Sequence, residues 1–147
     1  MKNFFKVRIV PLFGVAALVV AVGFLTVGCK IDDSIDERDY EMLNGIWDRG
    51  DIVVTFNKDT AVFTQINSNS GWETVLKRGH IKIGDKKFRN IIKSGNLQWT
   101  AQQLTFDTTT FVVSNWSDCT ITMAADGQTF QVYDPDTVST NRVYTKK

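Results

Sequence analysis

The chain offers few side chains that act readily as bases, nucleophiles or metal ligands. His80 is the single histidine, and Cys29 and Cys119 are the two cysteines. His80 stands at the start of a run that reads as a strand, Arg78-Gly79-His80-Ile81, where an exposed imidazole needs no special role. A serine triad would need it as the base, and no Gly-x-Ser-x-Gly elbow is present. A zinc centre needs three or four nitrogen or sulfur ligands, which this inventory does not supply. Asp134-Pro135-Asp136 and Asp32-Asp33 carry oxygens suited to calcium, but neither has the spacing of an EF-hand loop. No glycine-rich loop could cradle a phosphate. The reading is a noncatalytic chain with no metal and no cofactor. Cys119 alternates with Ile121 and Met123, which predicts a small buried core residue.

One charged stretch does have a chemical reading. Between Lys77 and Lys93 the bases Lys77, Arg78, Lys82, Lys86, Lys87, Arg89 and Lys93 meet a single acid, Asp85. Strand alternation puts Lys87, Arg89, Ile91 and Lys93 on one face, opposite Phe88, Asn90 and Ile92. Such a basic hairpin would hold an acidic polysaccharide, lipid head groups or an acidic protein surface. It reads equally as a solvated outer face whose lysines deter edge-to-edge pairing. Four tryptophans raise the idea of a sugar-stacking platform. Trp47, Trp72 and Trp99 lie in alternating patterns and read as core. Trp116, at a strand end, is the one expected to reach solvent.

Elements that would carry these residues begin with an export signal. Lys2, Lys6 and Arg8 precede an uncharged run from Ile9 to Gly28, which ends Leu25-Thr26-Val27-Gly28-Cys29. A basic start, an apolar stretch and a small residue before a cleavage point are the layout of a secretory signal. The small residue directly before Cys29 resembles the lipobox of bacterial lipoproteins, with Thr26 where leucine is usual. That resemblance implies a signal peptide over residues 1–28, lipidation of Cys29 and a membrane-anchored mature chain. It also implies export across the inner membrane to the outer membrane, with surface exposure as one outcome. Two other readings stay open: an uncleaved anchor, since the run matches the roughly 20 residues that span a bilayer, and a cysteine after conventional cleavage.

Removing residues 1–28 discards three bases and no acid, so the mature chain is slightly acidic. It has no basic excess of the kind that nucleic-acid binding requires, and it reads as a monomer. Residues 29–44 form an acidic tether in which Ser34-Ile35-Asp36-Glu37 has capping-box spacing, predicting a short helix from Ile35 to Leu43.

From 45 to 147 the period becomes two. Ile52-Val54-Phe56, Ala61-Phe63, Trp72-Thr74-Leu76, Phe88-Asn90-Ile92, Leu97-Trp99, Phe111-Val113, Cys119-Ile121-Met123 and Phe130-Val132 alternate as strands do. Breaks fall at Asn57-Lys58-Asp59, Ser68 to Gly71, Gly84-Asp85, Ser94 to Asn96 and Asp126-Gly127, where Asp-Gly suits a two-residue hairpin. The alternation slips between Trp99 and Phe106, predicting a bulge or bend near Gln102-Gln103. Roughly eight to ten short-linked strands favour an all-β, antiparallel up-and-down barrel, because closure removes exposed edges. A β-sandwich is the alternative.

Gly45-Ile46-Trp47, where the short helix meets the first strand, resembles the Gly-x-Trp signature of lipocalins. The resemblance implies that Trp47 plugs the closed end of the barrel and that Arg142 packs across it. It also implies a binding protein taking a small apolar or amphipathic ligand into the barrel mouth. The alternative is a protein- or glycan-interaction module working on the outer surface through Lys87, Arg89 and Lys93. A lumen filled by Phe56, Phe63, Trp99, Phe111 and Phe130 would favour the outer surface.

Overall fold

The computed structural model describes residues 37–136 and 142–147. The signal segment, Cys29 and most of the acidic tether lie outside these residues. The described chain begins with a one-turn 3-10 helix, Glu37–Asp39, followed by a turn through Leu43. Of the helix expected from Ile35 to Leu43, the described part, from Glu37 on, is this 3-10 turn and not an α-helix.

Eight strands follow in chain order: β1 (Gly45–Asp48), β2 (Ile52–Asn57), β3 (Thr60–Ile66), β4 (Lys86–Gly95), β5 (Gln98–Phe106), β6 (Val113–Met123), β7 (Thr129–Tyr133) and β8 (Arg142–Lys146). Each pairs antiparallel with its successor, and β8 returns to β1 through Trp47↔Lys146 and Asp48↔Thr145, closing the barrel. The architecture is the antiparallel up-and-down barrel, not the sandwich.

The run Trp72-Thr74-Leu76 is not a strand. It lies in the one α-helix among the described residues, α1 (Gly71–Lys77), inserted between β3 and β4. Ser70 caps it, its hydroxyl accepting from the Glu73 N–H at 3.1 Å, while the Glu73 carboxylate accepts from the Asn69 N–H at 2.9 Å. Those local bonds satisfy amide groups that a helix start otherwise leaves open. The buried pair is then Trp72 and Val75, three apart as on a helix, rather than Trp72 and Thr74. Gly71 is required here, since a Cβ would lie 2.6 Å from Phe106 Cζ.

Both ends of the barrel are plugged. The turn before β1 covers one end: the Trp47 indole donates to the Leu43 carbonyl, Trp99 to the Asp39 carbonyl and the Tyr40 hydroxyl to the Ile91 carbonyl, each at 2.8 Å. At the other end, where β3 finishes and β4 starts, α1 sets Trp72 against Phe63 and Phe106, with ring centroids 5.0 and 4.6 Å away. Between them Phe56, Phe88, Tyr144 and Phe130 form a closed cluster of four rings, in which Phe56–Phe88 and Phe130–Tyr144 stack and the other two contacts are edge-on. Cys119, Ile121 and Met123 are buried on one alternating face, as their pattern predicts.

The slip in β5 comes one residue later than expected. Trp99, Ala101 and Gln103 face inward, Leu104 is buried beside them, and the ladder to β6 shifts between Leu104 and Phe106. The Asp126-Gly127 turn is a hairpin, but a longer one: Ala124 N–H bonds to the Thr129 carbonyl across it, and Gly127 adopts φ +68°. Phe111 belongs to the β5–β6 connection and is only partly buried.

A candidate binding surface on the outer barrel wall

Bulges in β4 decide which side chains reach the surface. Ala61 pairs with Phe88 and Val62 with Lys86, so Lys87 is the extra residue at a bulge and turns inward beside Phe88. A second irregularity lies where Arg89 pairs with Gln102 but Ile92 with Thr100, leaving Asn90 and Ile91 opposite Ala101 alone. Asn90 absorbs it at φ +51°, a left-handed conformation that asparagine tolerates better than most residues. Ile91 therefore points into the core, and Asn90 and Ile92 point out.

The predicted basic face does not form. Lys87 is fully buried, its ammonium donating to the Leu104 carbonyl and lying 4.7 Å from the centroid of Trp72. Lys93 turns to Asp39 in a 3.2 Å ion pair. Of the three, only Arg89 lies on the outer wall near the groove described below, its guanidinium carbon 4.1 Å over the ring of Trp116. Trp116 is half-buried beneath it rather than freely exposed.

Arg142 does not pack over Trp47 either. It opens β8 at the α1 end, while the cation over Trp47 is Lys146, 5.3 Å from the ring centroid. Four residues of strand, roughly 13 Å, separate the two positions. Arg142 instead donates to the Gln103 side-chain carbonyl at 3.4 Å, and the Gln103 amide donates to Asp134 at 2.8 Å. Close by, Arg49 grips Asp51 with two hydrogen bonds and reaches the Tyr144 hydroxyl at 3.5 Å. Burial pushes the Lys87 pKa well below its ordinary value, helped by Arg49 and Arg142. Burial also raises the Tyr144 phenol and carries the Cys119 thiol up to about 12. Among the described residues every buried side-chain nitrogen and oxygen has a partner. This cluster is a satisfied polar layer of the core.

The outer wall of β4 to β7 has a different character. Antiparallel register aligns side chains across strands in rungs. One rung runs Ile92, Thr100, Thr120, Tyr133, and the next runs Arg89 with Asn90, then Gln102, then Asp118. In the second rung the Gln102 carbonyl accepts from Arg89 Nε at 3.0 Å and Asn90 Nδ2 at 3.1 Å. Its amide then donates to Asp118 Oδ1 at 3.0 Å, which locks the side chain's orientation. Tyr133 is 60% exposed and Ile92 61%. Of these rungs, Asn90, Thr100, Gln102, Asp118, Thr120 and Tyr133 line an open groove of about 460 Å³, bounded at one side by Pro135.

Sequence reasoning reached Arg89 but missed Asn90, Gln102, Asp118 and Tyr133. The signal for Gln102, Asp118 and Tyr133 was the parity opposite the buried Trp99-Ala101-Gln103, Cys119-Ile121 and Phe130-Val132 sets, and it becomes a site only once register joins the strands. No group of three or more His, Cys, Asp or Glu with metal-binding geometry occurs among the described residues. Comparison of the chain with protein-family models, with curated proteins and with solved structures finds no match.

Proposed function

We propose that this chain is an exported, lipid-anchored, noncatalytic binding protein whose recognition surface is the outer wall of β4–β7. The observation that carries this reading is the contrast between a filled lumen and an open groove outside. Phe56, Phe63, Trp99 and Phe130 are at most 2% exposed and occupy the volume a carried ligand would need. Anchoring rests on the sequence around Cys29: two or three acyl chains hold a protein to a membrane stably, whereas one does so marginally. The acidic tether then holds the monomeric barrel off the outer-membrane surface, with its wall available to partners.

The test is retention of the purified protein on cell-envelope preparations from its source. Thr120→Arg drives a long charged side chain into the groove and should lower retention at least tenfold without moving the thermal midpoint. Unchanged retention would overturn the outer-wall reading. Native mass spectrometry supplies the opposite outcome, because a stoichiometric apolar molecule held by the protein would restore the lumenal carrier.

A further inference from the structure

We propose that the groove on β4–β7 binds neutral carbohydrate, a claim that deepens the outer-wall reading and rests on it. Three features of the wall point to this ligand class. The first is an array of fixed planar polar groups. Gln102 spends its carbonyl on two donors and one amide hydrogen on Asp118, so it cannot rotate freely. Its second amide hydrogen, the second Asp118 oxygen and the Asn90 carbonyl make no hydrogen bond among the described residues. Donor and acceptor groups held side by side in one rung suit vicinal hydroxyls, each of which donates and accepts. The Thr100 and Thr120 hydroxyls extend the array along the next rung.

The second feature is Tyr133. Its ring stands 60% exposed on the wall, next to Thr120 in the ladder. An amphipathic ring beside a polar array offers a face for the C–H side of a pyranose while its hydroxyls bond along the rungs.

The third is charge. Beside the groove, Arg89 is stacked on Trp116 and linked through Gln102 to Asp118, so the charge of the groove's one carboxylate is offset across one amide. Of the three bases predicted to share this face, Lys87 is buried and Lys93 is paired with Asp39, so Arg89 alone stands beside the groove. A groove of about 460 Å³ falls within the size range of small-ligand sites, and its open form lets a longer glycan pass across it. The left-handed Asn90 sits in the same groove, where strained backbone tends to serve function.

The test uses the full-length protein in a polyoxyethylene detergent, which carries no sugar head group, on an array of neutral and acidic oligosaccharides. Hits are titrated by calorimetry. The expected result is binding of at least one neutral pyranose oligosaccharide, insensitive to salt. Gln102→Ala, Asp118→Asn and Tyr133→Ala should each weaken it at least tenfold with unchanged thermal midpoints, and Lys93→Ala should leave it intact. Binding of acidic glycans alone, no glycan binding, or neutral binding indifferent to Gln102→Ala and Tyr133→Ala would each overturn the inference. Periodate oxidation of the envelope preparation separates this claim from its parent. Retention that survives oxidation but is lost in Thr120→Arg defeats the carbohydrate assignment and leaves the outer-wall reading standing.

Discussion

The Lys87 ammonium lies 4.7 Å from the centre of the Trp72 ring, with no carboxylate among the described residues bonded to it. A lysine expected on the solvent side of β4 is thus enclosed between the strand and α1. The indole face and the Leu104 carbonyl offset only part of what the charged form loses on leaving water.

Replacing Lys87 by methionine keeps the length of the side chain and removes that burden. Lys87→Met should raise the thermal midpoint by several degrees, as a gain of about 1 kcal/mol moves a domain of this size by roughly 4–8 °C. The pH dependence follows from the depressed pKa. Between that value and the unfolded pKa of 10.5, the unfolded chain holds a proton that the folded chain lacks. Stability therefore rises with pH through this window. Tyr144 and Cys119, raised in the folded state, act oppositely at alkaline pH. Subtracting the Lys87→Met curve isolates the lysine, and denaturant midpoints from pH 6 to 10 should show the difference narrowing as pH increases.

Trp47 is fully buried, edge-on to Phe130 at 4.7 Å and bonded to the Leu43 carbonyl. Trp47→Ala should cost about 3–5 kcal/mol, the range for emptying a buried aromatic site. Lys146→Ala removes the cation over its ring and that cation's exposed bond to the Met42 carbonyl, and should cost under about 1 kcal/mol. Equal losses in urea titrations would contradict this division.

The cysteines make a paired prediction. With its pKa carried to about 12 by burial, Cys119 should resist maleimide at pH 8 until the protein is unfolded. A lipidated Cys29 has no thiol to label. The mature protein should therefore take up no maleimide when native and one when denatured, while radioactive fatty acid should mark the wild type and not Cys29→Ala. Native labelling at Cys29 would remove the anchor from the proposal.

Ser70→Ala should destabilise by about 1 kcal/mol through loss of the α1 cap. Gly71→Ala should cost more, about 1–3 kcal/mol, because its methyl group meets Phe106. Rescue of Gly71→Ala by Phe106→Leu would locate the clash.

Much of this barrel was legible in the sequence. Alternation in β2, β3, β6 and β7, with turn residues between them, announces short antiparallel strands, because period two is a local property of an extended chain with one face buried. Trp47 as a core residue and Cys119 as a small buried one come from the same rule. The Ser70-x-x-Glu73 cap was also present in the sequence, but the alternation of Trp72, Thr74 and Leu76 read as strand over so short a span. What only the tertiary structure decided is the fate of β4 and everything that depends on it. Two irregularities there turn Lys87 and Ile91 inward and Asn90 outward, and one inserted residue reverses every side chain beyond it. Arg142 was separated from Trp47 for a related reason, since which end of β8 each residue occupies depends on how the barrel closes on β1. The groove is of this kind throughout. Asn90, Gln102, Asp118 and Tyr133 come from four strands, and nothing local to any one of them records that hydrogen-bonded register brings them together.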